Sequence, residues 1–456
     1  MMTHLHILGL GGTFMSALAV LAQEAGFKVT GSDANCYPPV SDLLAAKGIE
    51  WIEGYEVSEV ALKADRVIIG NAIKRGMPLL EAILEQRADY ISGPQWLAEN
   101  ILTRYKVIAV AGTHGKTTTT AMLAWILHHA GMNPGFLIGG VAANFNTSAS
   151  FGSGQWFVIE ADEYDSAFFD KRPKFMHYRP QIAIINNLEF DHADIYADLA
   201  AIQQQFHYFM RTIPPSGLLI KPRDDQALNQ VLKKGRYCRI EECVSDSTEA
   251  EWSAQLMDVA GQSFSVFHHG KKVTEINWSL IGRFNVENAL AAIAASACAG
   301  VAPERAARAL ESYTPVKRRL EIKATCRGIT VYDDFAHHPT AITKTIEALK
   351  ASKRHRRILL VLEFASYTMR TGIHAADTVK VFALVDRAFI LRPAEFSFAE
   401  SIQDLSNSYL LSSTDEITEA VCKEAEEGDA VLIMSNRGFD HIHQKISQKL
   451  SDQMAD

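Results

Sequence analysis

Residues 107–123, VIAVAGTHGKTTTTAML, combine a buried-strand pattern with a glycine loop and the start of a helix. The usual phosphate-binding loop has a glycine, four residues and then Gly-Lys-Ser/Thr, but here the loop is two residues short. Because a strand, a glycine loop and a helix N-terminus direct backbone N–H groups at an anion, we predict that Gly112 and Gly115 let a phosphate approach. Lys116 would reach the β- and γ-phosphates, and the Thr117 hydroxyl would bind Mg²⁺. A chance Gly-Lys-Thr at a tight turn is the alternative, which the flanking strand and helix disfavour.

Carboxylates and a histidine follow the next two apolar strands. Glu160 ends the strand in WFVIEADEYDSAFF, where a carboxylate costs desolvation unless it is paired or metal-bound. We therefore predict a metal-binding role for Glu160, as in other enzymes with phosphate-binding loops. For Glu163 and Asp165, metal binding and a solvated acidic turn both remain open. His192 lies just beyond the strand in QIAIINNLEFDHADIY, and its place at a parallel strand end predicts a Mg²⁺-associated role.

The C-terminal third carries two further groups, in VKRRLEI and VYDDFAHHPTAI. Arg318 and Arg319 could clamp a phosphate, because a guanidinium matches phosphate geometry. Asp334, His337 and His338 follow a strand, where active-site loops usually lie. The adjacent spacing of the two histidines disfavours shared ligation of one ion, so we interpret them as acceptor-site or loop-ordering residues.

The N-terminal GLGGTF joins a short strand to a helix. A dinucleotide-binding fingerprint requires a third glycine where Phe14 stands, although Asp33 lies where a ribose-binding acid would lie. An NAD-dependent dehydrogenase is therefore a weakly supported alternative. The pyrophosphate of another nucleotide would suit the same turn.

Strands alternate with helices along the chain, which predicts three α/β units. The first has a doubly wound parallel sheet with strands HLHILG, FKVTGSDAN and ADRVIIGNAI. The second adds an antiparallel meander, EWSAQLMDVAGQSFSVFHHGKKVTEINWSL, and a closing helix, FNVENALAAIAASACAG. The third has strands ITVYDD, RILLVLEF, RAFILRP and AVLIMSN. We predict domains over residues 1–103, 104–314 and 315–456.

Composition narrows the classes of protein. The 456 residues are 48% hydrophobic and 21% charged, with a net charge of -8, which is typical of globular domains and gives no support for a nucleic-acid or anionic-membrane surface. Six scattered cysteines predict reduced thiols of the cytoplasm. The apolar N-terminus lacks a basic region and is interrupted by glycines, so we expect no signal peptide, and no segment is long enough to span a membrane.

The order of several motifs resembles that of the Mur ligase family across the whole chain: GTHGKTTT, EADE, DH, GRFNVENALAA, RRLE and YDDFAHHPT. The family's loop is short in the same way. The resemblance implies a Rossmann-like UDP-binding domain, a central ATPase-like domain and a Rossmann-like acceptor-binding domain. It also implies a cytoplasmic, ATP- and Mg²⁺-dependent amide ligase of peptidoglycan metabolism that forms an acyl phosphate and closes its domains around ATP. A monomer or a homodimer is expected.

Longer stretches are most similar to those of family members that join UDP-N-acetylmuramate to the tripeptide L-alanyl-γ-D-glutamyl-meso-diaminopimelate in recycling: GSDANCYPP, SGPQWLAE, EADEYDSAFFDKRPKF and NNLEFDHADIY. Attachment of L-alanine to the same sugar nucleotide is the alternative within the family. A non-catalytic nucleotide-binding protein is a further alternative, which the complete set of catalytic residues disfavours.

By resemblance, the residues divide into four groups. The ATP site would be formed by Gly112, Thr113, His114, Gly115, Lys116, Thr117, Thr118, Asn285, Asn288, Arg319 and Asp334. The metal site would be formed by Thr117, Glu160 and His192. The catalytic group would be Lys116, His192, Arg319, Asp334 and His337, with His337 beside the incoming amine. The other substrates would bind Gly9, Gly11, Gly12, Ser32, Asp33, Asn71 and Arg370.

The chain also departs from the family's pattern at three places. Phe206 stands where many members carry a carbamylated lysine, so no carbamate is expected. Phe284 replaces a histidine beside the first ATP-site asparagine. Phe364 and Ala365 replace the Pro-Arg of Glu-Pro-Arg-Ser, and Arg370 is the nearby candidate to substitute for that arginine.

Overall fold

The computed structural model describes residues 2–38, 40–247, 249–393, 402 and 405–452. These residues form three α/β units in chain order, each built on its own sheet, so the predicted fold class is confirmed. Short 3₁₀ turns connect some elements, at Leu102–Arg104, Lys174–His177 and Phe439–His441. Within the described ranges, no helix combines the length and apolarity that crossing a bilayer requires.

The first sheet is parallel, with strand order β3-β2-β1-β4-β5. Its strands are β1 His4–Leu8, β2 Lys28–Asp33, β3 Glu50–Glu53, β4 Arg66–Ile69 and β5 Tyr90–Ser92. Its helices are α1 Thr13–Glu24, α2 Val40–Ala46, α3 Glu59–Leu62, α4 Pro78–Glu85 and α5 Gly93–Asn100. The order reverses at β1, so the GLGG turn lies at a switch point where open α/β sheets bind ligands. The sequence patterns had predicted three of these five strands; β3 and β5 are short edge strands.

The second sheet has ten strands in the order β15-β14-β13-β12-β11-β10-β6-β9-β7-β8. The strands are β6 Lys106–Ala111, β7 Gly135–Ala142, β8 Thr147–Ser150, β9 Trp156–Glu160, β10 Ile182–Ile185, β11 Leu218–Pro222, β12 Arg239–Ser245, β13 Trp252–Leu256, β14 Ser263–His268 and β15 Lys271–Asn277. The helices are α6 Lys116–His129, α7 Leu199–Met210, α8 Gln226–Lys233, α9 Arg283–Cys298 and α10 Pro303–Glu311. The predicted meander is confirmed, because β13, β14 and β15 pair antiparallel.

The third sheet has the order β16-β17-β21-β18-β19-β20. The strands are β16 Glu321–Cys326, β17 Ile329–Asp334, β18 Ile358–Glu363, β19 Arg387–Leu391, β20 Ser408–Leu411 and β21 Ala430–Met434. The helices are α11 Pro339–Ser352, α12 Tyr367–Arg370, α13 Ala375–Phe382, α14 Thr414–Glu424 and α15 Ile442–Asp452. Strand β16 pairs antiparallel with β17, and the other pairs are parallel.

The apolar runs of β6, β9 and β10 explain where the polar residues of the second sheet collect. These neighbouring parallel strands are buried almost throughout, as expected for strands covered by helices on both faces. Polar side chains are therefore displaced to the strand ends. Because the strands are parallel, the residues after Ala111, Glu160 and Ile185 meet at one edge of the sheet.

Candidate active site

A cavity of about 1240 Å³ lies where the three sheets come together. Thr13 and Phe14 line it from the first unit, and the loop 113–118 and the ends of β9 and β10 line it from the second. The third unit contributes residues 319–322 and 334–338. The cavity is lined by thirteen of the residues that the sequence predicted for catalysis, ATP or metal: Thr113, His114, Gly115, Lys116, Thr117, Thr118, Glu160, His192, Asn285, Asn288, Arg319, Asp334 and His337.

The two loop glycines are needed for close backbone approach. Gly112 has φ +122°, and a Cβ there would lie 2.9 Å from the carbonyl oxygen of Asn187. Gly115 has φ +79° and forms the N-cap of α6, where a Cβ would lie 2.5 Å from Asn288 Oδ1. Both φ values fall in the left-handed region that favours glycine. Gly112 itself does not line the cavity, so it shapes the loop rather than its surface.

The side chains of Asn186 and Asn187, which directly follow β10, hold the loop 112–115 in place through hydrogen bonds. The Asn187 Oδ1 atom accepts a hydrogen bond from the His114 backbone N–H at 2.8 Å. Asn186 Nδ2 donates to Thr119 Oγ1 at 2.9 Å and to the His114 carbonyl oxygen at 3.3 Å. The sequence analysis assigned no role to Asn186 and Asn187. Two amides directly after a buried strand next to the loop strand were the available signal.

Lys116 lies in a network of carboxylates. Its Nζ is 2.5 Å from Glu163 Oε2 and 3.4 Å from Asp162 Oδ1, and its side chain is only 11% exposed. Burial alone would lower the pKa of Lys116, but the Glu163 and Asp162 carboxylates outweigh burial and raise it. Lys116 is therefore a permanent cation at neutral pH. Glu163 and Asp162 hold the ammonium at the start of α6, next to the glycine loop.

Glu160 and Thr117 form a second polar group beside Lys116. Thr117 Oγ1 donates to Glu160 Oε1 at 3.2 Å, and the Gly139 backbone N–H donates to Glu160 Oε2 at 2.8 Å. Burial raises the pKa of Glu160, although Lys116 and the Gly139 hydrogen bond partly oppose the rise. A buried carboxylate next to a hydroxyl is the hard oxygen donor set that Mg²⁺ prefers, so these two residues fit the predicted metal.

His192 joins a neighbouring group. Its Nε2 lies 3.3 Å from Glu163 Oε1, and ligand atoms of Asp162, Glu163 and His192 all fall within 4.8 Å of one another. Burial would lower the pKa of His192, but the Glu163 hydrogen bond raises it to about 9. The structure thus pairs Thr117 with Glu160, and His192 with Glu163, rather than collecting the predicted metal trio in one group. The reason is that Glu163, three residues beyond the strand end, turns towards both Lys116 and His192.

Lys174 is a second cation that the sequence analysis did not identify. Its Nζ lies 2.6 Å from Asp162 Oδ2 and 5.7 Å from the centre of the Phe14 ring. Although burial opposes it, Lys174 and Lys116 lower the pKa of Asp162. Lys174 therefore extends the positive charge of the site towards the first unit. Its segment, DKRPKF, ends the resemblance motif EADEYDSAFFDKRPKF, but no periodicity within it singles out this lysine.

The third unit contacts the phosphate-binding loop directly. Arg319 donates to Thr117 Oγ1 at 3.0 Å, and the Arg319 guanidinium lies 5.0 Å from the Phe335 ring centre. Thr340 Oγ1 donates to Glu189 Oε2 at 2.7 Å, which is a second hydrogen bond between the two units. The third unit is therefore closed against the second, and Arg319 reaches Thr117 at the end of the glycine loop.

Asp334 organises the segment that carries Arg319. Its two carboxylate oxygens accept hydrogen bonds from the backbone N–H groups of Leu320 at 2.6 Å and Ala336 at 2.8 Å. Burial raises the pKa of Asp334, with Arg319 opposing the rise. Both carboxylate oxygens are already used by the backbone, so Asp334 positions the cavity wall as well as lining it.

His337 is buried with one ring nitrogen directed at backbone. Its Nδ1 lies 3.0 Å from the Phe335 carbonyl oxygen, which can only accept, so Nδ1 carries the proton. Burial lowers the pKa of His337, although Asp191 partly opposes it. The ring is therefore neutral at pH 7, and its Nε2 carries a lone pair. Such a nitrogen can accept a proton from a nearby amine.

The N-terminal group forms a separate wall outside the cavity lining. The Gly11 backbone N–H donates to Asp33 Oδ2 at 2.8 Å, and the Asn35 backbone N–H donates to Asp33 Oδ1 at 2.8 Å. Gly9 has φ +83°, and Ser32 is buried with its hydroxyl bonded to His6. Asp33 thus orders the glycine turn through both of its carboxylate oxygens. Gly12 and Asn71, the other residues predicted to bind the first substrate, also do not line the cavity.

Three positions remain: Asn285, a predicted ATP contact; Phe284, which replaces a histidine of the family's pattern; and Arg370, a predicted substrate contact. Asn285 Nδ2 donates to the Ile281 carbonyl oxygen at 2.8 Å, which anchors the start of α9. Phe284 lines the cavity and packs against the core of the third unit. Arg370 does not line the main cavity; it lines a smaller one that Ala365 also lines.

Family models match the chain in three consecutive segments. They are the Mur ligase family catalytic domain over residues 4–105, the Mur ligase middle domain over 110–296 and the glutamate ligase domain of Mur ligases over 318–437. The matches cover most of the chain and follow its three sheets.

Known proteins similar to the chain carry concordant names. Proteins named UDP-N-acetylmuramate–L-alanyl-γ-D-glutamyl-meso-2,6-diaminoheptandioate ligase are 47% identical in Haemophilus influenzae and 48% identical in Escherichia coli. These alignments cover 98% of this chain and 99% and 98% of the relatives. A protein named UDP-N-acetylmuramate–L-alanine ligase, from Desulforapulum autotrophicum, is 33% identical over 85% of this chain and 83% of its own.

A solved structure has the same fold throughout. The crystal structure of a murein peptide ligase from Psychrobacter arcticus is 43% identical, covers 99% of both chains and superposes with a TM-score of 0.79. Three consecutive family matches, near-complete relatives and this structural agreement lead to one conclusion. The chain belongs to the Mur ligase family.

Proposed function

We propose that the protein is an ATP-dependent ligase that joins the carboxylate of UDP-N-acetylmuramate to the amine of L-alanyl-γ-D-glutamyl-meso-diaminopimelate. The observation that carries the proposal is the convergence of Arg319, Thr117 and Lys116, because a C-terminal arginine meets the nucleotide loop in one cavity. The choice of tripeptide is supported by the names of relatives 47% and 48% identical to the chain. ATP and UDP-N-acetylmuramate are intracellular metabolites, which supports a cytoplasmic location.

Each of the three units lines a different part of the cavity, and we assign one ligand to each unit on that basis. We assign residues 1–103 to UDP-N-acetylmuramate, 104–314 to ATP and 315–456 to the acceptor. The glycine turn that Asp33 orders leads into α1, and the uncapped N-terminus of that helix at a switch point suits a pyrophosphate. Gly9, Gly11, Gly12, Ser32 and Asn71 belong to this proposed wall.

In the first step, the muramate carboxylate attacks the γ-phosphorus of ATP, and the bond to the β–γ bridging oxygen breaks. The products are an acyl phosphate and ADP. Lys116 and Arg319 neutralise charge on the transferring phosphoryl group, and the loop N–H groups hold the β-phosphate. Mg²⁺, held by Thr117 and Glu160 with His192 and Glu163 nearby, would supply further charge neutralisation when bound.

In the second step, the acceptor amine attacks the acyl carbon, and a tetrahedral intermediate expels inorganic phosphate. The ammonium form of the amine must lose a proton before it attacks. His337 Nε2 is the candidate base, because Nδ1 carries the proton and burial keeps the ring neutral. Asn285 and Asn288 remain proposed ATP contacts, with Asp334 holding the segment of Arg319 in place.

The test is phosphate release by the purified protein with ATP, Mg²⁺ and UDP-N-acetylmuramate. One reaction receives the tripeptide and another receives L-alanine, and mass spectrometry identifies the product. Release with the tripeptide and formation of UDP-N-acetylmuramyl-tripeptide is the expected result. Release with L-alanine alone would assign the protein to the alanine-adding branch, and no release with either would overturn ligase activity.

A further inference from the structure

Two histidines and one glutamate meet between the second and third units, apart from the groups that contain Glu160 and His192. His114 comes from the glycine loop, Glu189 follows β10, and His338 forms the N-cap of α11. One possible ligand atom from each of these three residues lies within 4.8 Å of the other two. The reaction steps proposed above use neither Glu189 nor His338. We name this group the interface histidine cluster.

The distances within the interface histidine cluster match those between ligands of one metal ion. His114 Nε2 lies 3.4 Å and His338 Nδ1 lies 3.5 Å from the same oxygen, Glu189 Oε2. Both distances exceed the usual N–H···O hydrogen-bond length of about 2.9–3.0 Å. Zn²⁺ holds nitrogen and oxygen ligands at about 2.0–2.2 Å in a tetrahedron, so two of its ligands lie about 3.3–3.6 Å apart. The three atoms therefore already have the spacing of a zinc ligand set.

His338 and Glu189 turn electron pairs towards each other. His338 Nδ1 accepts a hydrogen bond from the Thr340 backbone N–H at 3.3 Å, so this nitrogen carries a lone pair and no proton. Glu189 Oε2 accepts a hydrogen bond from Thr340 Oγ1 at 2.7 Å. A cation between these two acceptor atoms would be attracted by both. It would take the lone pair of Nδ1 in place of the long hydrogen bond from Thr340.

The two histidines are held in position by their surroundings. The backbone of His114 is bonded by the amides of Asn186 and Asn187 on both its N–H and its carbonyl side. The rings of His114 and His338 lie 4.8 Å apart, centre to centre, and the two side chains are only 16% and 7% exposed. Metal-binding imidazoles are usually oriented by a partner at the second ring nitrogen. For His338 this partner is His374, at 3.3 Å between the two Nε2 atoms.

We propose that the interface histidine cluster binds Zn²⁺ through His114 Nε2, Glu189 Oε2 and His338 Nδ1, with water as the fourth ligand. Two imidazoles and one carboxylate suit Zn²⁺, whereas Mg²⁺ prefers oxygen ligands. His114 and Glu189 belong to the second unit and His338 to the third. The ion therefore ties the two units together in the closed arrangement. This inference does not depend on the ligase activity proposed above.

The first test is a titration with Co²⁺, a spectroscopic substitute for Zn²⁺, in excess Mg²⁺ and without nucleotide. His192→Ala is the matched control, because it disrupts the group of Asp162, Glu163 and His192, which could also hold a metal ion. The wild-type and His192→Ala proteins should each bind one Co²⁺ with the absorption of tetrahedral coordination, and Zn²⁺ should displace it. Glu189→Gln and His338→Ala should bind Co²⁺ more than about 100-fold more weakly, since even an indirect partner of a metal ligand contributes about 10- to 100-fold to affinity.

A second measurement locates the ion without any variant. Crystals grown with Zn²⁺ should show an anomalous peak at the zinc absorption edge, about 2.0–2.2 Å from the three ligand atoms. His269→Ala is a further control for binding to surface histidines, because the rings of His268 and His269 lie 4.4 Å apart, centre to centre. This variant should bind Co²⁺ like the wild-type protein.

Small-angle X-ray scattering tests the tie between the units. Zn²⁺ should lower the radius of gyration of the wild-type and His192→Ala proteins and leave that of Glu189→Gln unchanged. Circular dichroism checks that Glu189→Gln is folded. If Zn²⁺ binds but does not change the radius of the wild-type protein, the ion does not close the units and this part of the proposal is wrong.

The remaining outcomes decide the site itself. Wild-type Co²⁺ affinity in both Glu189→Gln and His338→Ala, or an anomalous peak elsewhere, would overturn it. Loss of the tetrahedral Co²⁺ in His192→Ala would assign the ion to the other group and would also overturn it. None of these results bears on the ligase function, which the phosphate-release assay tests separately.

Discussion

Replacing Gly115 with alanine is expected to weaken ATP binding more than it weakens the fold. Gly115 forms the N-cap of α6 with φ +79°. An added Cβ would lie 2.5 Å from Asn288 Oδ1 and 2.8 Å from Asn186 Nδ2. Both amides belong to short side chains packed in the site, so they cannot yield without moving the loop that they support.

The magnitude follows from two contributions. A left-handed backbone conformation costs an alanine about 1–2 kcal/mol. Displacement of Asn186 also endangers its hydrogen bonds to Thr119 Oγ1 and the His114 carbonyl oxygen, which contribute about 0.5–1.5 kcal/mol each. The second contribution, about 1–3 kcal/mol, affects the loop that holds the phosphates. We therefore expect ATP to bind roughly 5- to 150-fold more weakly.

Gly131→Ala is the matched control for backbone strain. Gly131 follows the other end of the same helix with φ +70°, and a Cβ there would meet no atom within 4 Å. Both variants should lower the free energy of unfolding in urea, but only Gly115→Ala should raise the dissociation constant of Mg²⁺–ATP in calorimetric titration. If both variants bind ATP like the wild-type protein, the asparagine contacts do not shape the loop and the reasoning fails.

Three other predictions concern charge and closure. Arg319→Ala should lower kcat/KM about 10²- to 10³-fold with Arg319→Lys recovering little of it, because a guanidinium reaches Thr117 and a transition-state charge donor is lost; wild-type rates for Arg319→Lys would contradict this. Lys116→Met should lower the free energy of unfolding in urea by about 2–3 kcal/mol, because the buried Glu163 carboxylate loses its closer cationic partner and keeps only His192, and adding Glu163→Gln should restore part of it. Burial lowers the pKa of His6 to about 4, below its value of about 6.5 in the unfolded chain. As the pH falls, the unfolded chain therefore binds a proton before the folded protein does. The free energy of unfolding is unaffected above about pH 6.5 and falls by up to roughly 3 kcal/mol as the pH drops towards 4. Urea unfolding from pH 7 to pH 4 should show a flatter dependence for His6→Gln than for the wild-type protein, and identical slopes would refute the assignment.

Sequence patterns predicted the parts of the fold that have strong local signals. The buried strands ending at Ala111, Glu160 and Ile185 are long apolar runs, and their parallel pairing follows from the helices between them. The meander carries its own turn residues. Strands β3, β5 and β20 are short edge strands, and their existence depends on a neighbouring strand more than on their own residues.

The candidate site was predictable where a motif fixes a residue and not where tertiary contacts choose a partner. Lys116 and Thr117 follow from the loop, but the choice of Glu163 as the partner of both Lys116 and His192 depends on how the chain turns beyond β9. Lys174 lies in a segment without periodicity and reaches Asp162 only through the fold. Such contacts join positions far apart in sequence, and no local pattern encodes them.

The segment 318–320 links acceptor recognition to the chemistry of the nucleotide. Arg318 holds the turn that carries Arg437, and the next residue, Arg319, contacts Thr117 in the nucleotide loop. The Leu320 backbone N–H donates to Asp334 at 2.6 Å, which fixes the segment to the sheet edge. An acceptor bound at the carboxyl edge of the third sheet would therefore contact the same rigid edge that presents Arg319 to the nucleotide loop. Binding energy from the distal end of the acceptor can then favour closure, so truncated acceptors should lose turnover as well as affinity.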